Sequence, residues 1–387
     1  MISSYIILTI FVQSLNQIYK MKQFITQILF LSAISLFMGC ANAPKADEST
    51  DAGGNTKFKG KILKILCWEG YADDKFTKPF ETQTGIKISK TYFSSSDELI
   101  KKLTETENGN YDIITPSPDL AQALVERDLV QSIDLKHIIH YDSLADRLRA
   151  MQDVVKDGET YGVPFTWGPD YLVYNADIVK EEPTSWNVMF DPKYKGKVSL
   201  WDDVSSIYLA GILNGDAKAD KAQIYNMNDI QLEAAKKKLL TLKPSIYKFW
   251  SSAGELTDLM RSKKVVIAVG WPLIPATLKS EGMNIKGIIP KEGATGWIDR
   301  LMIPQNATNK ELAEQWIDYI TKPENMALVA EVTGYSVSNS NAARYLSPEQ
   351  LEITQMNNVQ YYFDKLNFWR NVRNRKKYSL IWDEVRN

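Results

Sequence analysis

Histidine and cysteine are nearly absent from this chain, with two of each in 387 residues. Nucleophilic catalysis by serine or cysteine needs a base beside the nucleophile, usually a histidine. No Ser-His-Asp or Cys-His grouping is legible, so the reading is a protein that is not an enzyme. His137 and His140 are three residues apart, a spacing that puts both on one helical face as a metal pair. No cysteine or third histidine accompanies them, and a structural or surface role is the simpler account; no metal and no cofactor is expected. A basic excess is also missing. Lys and Arg number 46 against 47 Asp and Glu. Setting aside Lys20 and Lys22 leaves 44 against 47 beyond residue 39, a net charge of −3. Nucleic acid would want a clustered basic face, so it is excluded as a partner. There is no glycine-rich phosphate loop, no short-period repeat and no low-complexity segment in the body of the chain.

Long apolar runs are lacking too. The run at 24–38 falls short of the about 20 residues that a spanning helix needs. With Lys20 and Lys22 before it and Gly39-Cys40 after it, the run has the shape of a secretory signal. Met21 is the better start, with residues 1–20 an upstream extension. Gly39-Cys40 resembles a lipoprotein cleavage site, which implies a signal peptide over 1–39 and lipidation of Cys40; an ordinary signal with a chance cysteine is the alternative. Residues 40–60 are small and polar and read as a flexible tether. A lipid at one end and a globular body beyond it means anchored to the membrane on the periplasmic side, not spanning it. With Cys40 lipidated, Cys67 has no disulfide partner. It sits in the strand-like run Ile-Leu-Lys-Ile-Leu-Cys-Trp and reads as a small buried hydrophobe.

About 327 residues remain, enough for two domains. Strand patterns at 61–68, 86–93, 111–114, 171–174, 197–201 and 264–269 alternate with helical patterns at 74–84, 96–103, 119–127, 311–320 and 324–332. That alternation predicts an α/β fold with parallel sheets. The stretch 161–168 breaks the pattern. In such sheets ligands bind beyond the carboxyl ends of strands. Trp68-Glu69-Gly70-Tyr71 and Pro116-Ser117-Pro118-Asp119 both fall there.

What the chain does have is aromatic residues set beside carboxylates: Trp297 and Asp299 two apart, with Trp68, Trp271 and Asp203 at other strand ends. A protonated amine gains roughly 0.5–2 kcal/mol from an aromatic face. It also makes charge-assisted hydrogen bonds with carboxylates. The combination suits a small organic cation. Each tryptophan can equally fill a core, Asp299 can pair with Arg300, and Asp119 can cap its own helix.

The ordered segments Trp68–Tyr71 (WEGY), 80–86, 111–117, 163–175 (VPFTWGPDYLVYN), 185–203 (SWNVMFDPKYKGKVSLWDD), 270–271, 296–304 and 333–344 (TGYSVSNSNAAR) resemble the periplasmic spermidine/putrescine-binding proteins of bacterial polyamine transporters. The resemblance implies a two-lobed periplasmic-binding-protein fold, type II-like, with two hinge crossovers, placed near 164–167 and 299–304. Lobe 1 is then 61–165 plus 301–335, and lobe 2 is 166–300 plus 336–387. It further implies a monomeric substrate-binding lipoprotein that captures a polyamine by cleft closure and delivers it to a membrane ABC permease. Trp68 and Tyr71 would wall the cleft and Ser117 would hydrogen-bond an amine. Asp203, Trp271, Trp297 and Asp299 would surround the cation, with Tyr335 as floor. The chain departs from the pattern at Ser206, where the family has a second acid, and at Asp119, where it commonly has tyrosine. It departs again at Gly70, with Glu69 one residue earlier, and at Arg370, where the family has glutamine. Asp119 and Glu69 are expected to compensate for Ser206, and the spacing of Asp203, Asp299 and Asp119 to set ligand length. Two alternatives share the cleft: a polyamine-sensing co-receptor for a membrane signalling protein, and transport of a zwitterionic amine whose carboxylate Arg370 holds.

Overall fold

The computed structural model describes residues 56–104 and 110–387. The signal segment, Cys40 and most of the tether lie outside the described residues. Beyond them the chain forms a compact unit. In chain order its strands are β1 (Ile62–Trp68), β2 (Lys87–Phe93), β3 (Ile113–Ile114), β4 (Val130–Gln131), β5 (Val155–Lys156), β6 (Glu159–Thr160), β7 (Gly162–Pro169), β8 (Tyr171–Asn175), β9 (Val198–Trp201), β10 (Ile246–Trp250), β11 (Ile267–Gly270), β12 (Ile285–Ile288), β13 (Ala294–Pro304), β14 (Ser336–Val337) and β15 (Leu366–Phe368).

These strands build two main sheets, one per lobe, and β5 and β6 pair as a separate antiparallel ribbon. The larger runs β14-β7-β13-β3-β1-β2, with β4 and β15 also pairing β13; the smaller runs β10-β9-β11-β8-β12. Each has a parallel part, β2-β1-β3 and β10-β9-β11. Each also has antiparallel strands, β13 against β7 and β3, and β8 against β11 and β12. The sheets are therefore mixed. Helices cover both lobes, as parallel crossovers require. Helix Asp74–Thr84 shows the local logic: Asp73 caps its start by accepting from the Lys75 N–H, and Gly85 ends it in the left-handed conformation. Phe76 and Phe80, one turn apart, are fully buried.

The broken-pattern segment 161–168 turns out to be β7, buried along its whole length. It pairs with β13 from Gly162 to Pro169, so the expected crossover positions 164–167 and 299–304 lie inside one sheet. The chain passes from the larger sheet to the smaller at Asp170 and returns through residues 289–293. β14 and β15 pair with β7 and β13, while the last helix, Arg375–Arg386, packs on the helices Ser205–Asn214 and Asp229–Leu242 beside the smaller sheet.

Cys67 is fully buried in β1, and burial pushes its thiol far above the ordinary range. His137 Nδ1 lies 2.6 Å from Glu314 Oε2, an ion pair that accounts for this histidine without a metal. Among the described residues no helix is long and apolar enough to cross a membrane.

Candidate ligand-binding site

The parallel strands deliver indoles at their carboxyl ends. Trp68 ends β1, Trp201 ends β9, Trp250 ends β10, and Trp271 follows β11. The rings meet where the two sheets face each other. Trp68 lies with ring centroids 5.8 Å from Trp201 and 6.1 Å from Trp271, and those two sit edge-on at 4.9 Å. Trp201 stacks on Trp250 and on Trp369. The result is a narrow apolar cavity lined by Trp68, Glu69, Tyr71, Ser117, Trp201, Trp271, Trp297, Asp299, Tyr335 and Trp369.

The larger sheet supplies the polar end. Alternation along β13 puts Trp297 and Asp299 on one face and Arg300 on the other. The ladder slips by one residue between Ile298 and Arg300, with the extra residue on β7 opposite Asp299. Such bulges re-aim side chains and are over-represented beside sites. Asp299 is 2% exposed. Ser117 Oγ donates to its Oδ1 at 2.5 Å, and the Tyr71 hydroxyl donates to its Oδ2 at 2.5 Å. Tyr71 also bonds Thr166. Ser117 occupies the N-cap position of helix Pro118–Glu126 yet makes no capping bond, giving up about 1 kcal/mol to hold the carboxylate. Arg300 is fully buried and pairs with Asp153 at 3.0 Å rather than with Asp299. Burial drives the Asp299 carboxyl up to about 7, against the pull of Ser117 and Tyr71. Among the described residues no cationic side chain forms an ion pair with it.

Of the expected residues, eight are brought together here: Trp68, Glu69, Tyr71, Ser117, Trp271, Trp297, Asp299 and Tyr335. Four are placed elsewhere. Asp119 is buried against Arg375 Nη1 at 2.5 Å and also accepts from Ser96, so its charge is spent inside the protein. Asp203 accepts from the Ser205 N–H at the start of the following helix and is not among the residues that line the cavity. Burial raises its carboxyl to about 6. Ser206 donates to the Trp201 carbonyl at 2.8 Å and faces a neighbouring cavity. Arg370 is exposed in an outer groove with Arg147 and Lys221, so the zwitterionic alternative lacks its carboxylate holder. Two wall residues were not expected, Trp201 and Trp369. Trp201 stands at a strand's carboxyl end exactly as Trp68 does in sequence, so the same rule reaches it.

A cleft between two α/β lobes, walled by indoles and ending on a buried carboxylate, is the arrangement of a solute-binding protein. The chain belongs to the bacterial extracellular solute-binding protein family, whose model matches residues 75–355. It is 28% identical over 335 residues to a spermidine/putrescine-binding periplasmic protein of Escherichia coli, covering 85% of this chain and 88% of that one. It is 27% identical over 313 residues to a putrescine-binding periplasmic protein of Pseudomonas aeruginosa, covering 76% and 83%. Its fold is that of a spermidine/putrescine ABC transporter substrate-binding protein from Streptococcus pneumoniae (TM-score 0.68, 24% identity, 84% of this chain and 100% of that one). A lipoprotein of Treponema pallidum shares it too (TM-score 0.69, 21% identity, 84% and 99%).

Proposed function

We propose that this protein captures a di- or polyamine in the periplasmic or extracellular space and hands it to an ABC permease. The observation that carries this is Asp299: a buried carboxylate with both oxygens held, ringed by indoles, with no cation of its own. A buried charge without a partner costs several kcal/mol, and an ammonium entering the cavity removes that cost. Trp297 and Trp68 supply π-faces for the methylene chain and its charge. Trp68 on one lobe meets Trp201 and Trp271 on the other, which supports capture by closure, with Asp170 and residues 289–293 as the passages that bend. Lobe 1 is then built on the larger sheet and lobe 2 on the smaller. Lipidation of Cys40 and the tether to residue 60 complete the proposal, holding a monomer without enzymatic activity at the membrane.

The test is calorimetric titration of residues 58–387 with putrescine, cadaverine, spermidine, agmatine and 4-aminobutyrate. Binding of an amine at micromolar Kd or tighter, about −8 kcal/mol or better, is expected. Heat from 4-aminobutyrate alone, or from none of them, overturns the amine reading.

A further inference from the structure

Behind Trp201 and Trp271 lies a second, narrow cavity, which shares these two rings with the first as walls. Asp170, Ser205, Ser206 and Thr295 are its polar lining, with Trp186 and Trp250 among the apolar. Asp170 is 5% exposed. Its backbone N–H donates to the Thr295 carbonyl at 2.9 Å, and the Thr295 hydroxyl donates to its Oδ2. Among the described residues no Lys, Arg or His forms an ion pair with it. The charged group whose field reaches it is Asp203, of the same sign, and burial with that repulsion holds its carboxyl up at about 7. Neutral donors alone do not balance a buried carboxylate. Neither this lining nor that of the first cavity includes a Lys, Arg or His.

We infer that Asp170 is a second anchor for the ligand, taking one ammonium of a linear polyamine in the chamber behind Trp201 and Trp271 while Asp299 takes another. The inference rests on the amine reading above. The strand geometry fixes the scale. Asp170 lies opposite Thr295, and Asp299 is four residues further along β13, on the order of 13 Å of strand. The two acids sit at opposite ends of the face that presents Trp297 between them. A short monoamine reaches one acid; a polyamine of spermidine length reaches both.

The experiment compares wild type with Asp170→Asn, which keeps the size of the side chain and an oxygen for Thr295, by calorimetric titration with spermidine and with n-butylamine at pH 8. The substitution is expected to weaken spermidine roughly ten- to a hundred-fold, the range of a charge-assisted hydrogen bond, and to leave n-butylamine within about two-fold. Spermidine binding unchanged in the variant overturns the role of Asp170 and leaves the amine reading standing; no amine binding by wild type overturns that reading itself. If the variant does not fold, wild type answers: at pH 6 spermidine is expected to release about one proton more than n-butylamine. Equal release by the two overturns the inference.

Discussion

Arg375 and Asp119 meet across the cleft. The guanidinium comes from the last helix, packed beside the smaller sheet, and its Nη1 lies 2.5 Å from a carboxylate on helix Pro118–Glu126 of the larger lobe. Burial works against the charge on Arg375, but Asp119 outweighs it and holds the guanidinium charged. Arg375 also bonds Asp97 at 2.8 Å. Replacing it by glutamine leaves Asp119 buried and unpaired, a loss of about 3–5 kcal/mol. Urea denaturation should show that loss in Arg375→Gln and recovery of most of it in the double variant with Asp119→Asn. A single variant as stable as wild type sinks the pairing.

Asp299 makes the empty protein less stable than it need be. Its folded value of about 7 stands above the ordinary 3.8, so the folded state binds more protons than the unfolded one between pH 4 and 7. Stability from this group therefore falls as pH rises through that window. At about 1.4 kcal/mol per unit the penalty is on the order of 2–4 kcal/mol at pH 8. Asp299→Asn should melt higher than wild type at pH 8 without ligand, with the gap closing towards pH 4. A gap that is constant in pH counts against it.

The same carboxyl ties amine affinity to pH. A bound ammonium favours the charged form, so below about pH 7 binding must first expel a proton. Affinity should drop by up to about tenfold per unit from pH 7 to pH 5. Titrations in two buffers of different ionisation heat should show proton release at pH 6 and almost none at pH 8. The groups whose bonds or fields reach Asp299 are Ser117, Tyr71, Asp119 and Arg300.

Gly168 lies flat against the Trp297 ring. A Cβ there would stand 2.8 and 2.9 Å from two ring carbons, closer than such atoms approach. Gly168→Ala should push the indole into the cavity, cost about 1–3 kcal/mol of stability by overpacking and weaken amine binding. Unchanged Kd in a folded variant would show that the ring position does not matter to the ligand.

Much of this was legible in the sequence, for physical reasons. Strands with β-branched and aromatic residues, such as 62–68 and 87–93, carry their own signal, and an indole at a strand end such as Trp68 points to a site wherever parallel strands are expected. β7 was not legible. Gly162, Pro164, Gly168 and Pro169 are residues that weaken strands, and they are tolerated here because the β13 partner and the bulge absorb missing N–H donors. Arg375 was hidden because its partner Asp119 lies 256 residues away. Arg370, nearer the aromatic cluster in sequence, drew the reading instead, yet alternation past Trp369 turns it outward to solvent. Asp170 stands between two strands in a run that reads as irregular, where an aspartate is an ordinary turn residue.

Cys67 has a practical consequence. The thiolate is the form that reacts, and burial in β1 suppresses it. In an oxidising compartment the folded chain therefore neither mispairs nor takes up adducts at this position. Once β1 leaves the sheet, the same sulfur becomes an ordinary thiol. Position 67 thus works as a native label for the opening of the larger lobe: alkylation there counts molecules whose core has come apart, and the slowing of that alkylation by a bound solute reads out how strongly the solute holds the protein shut.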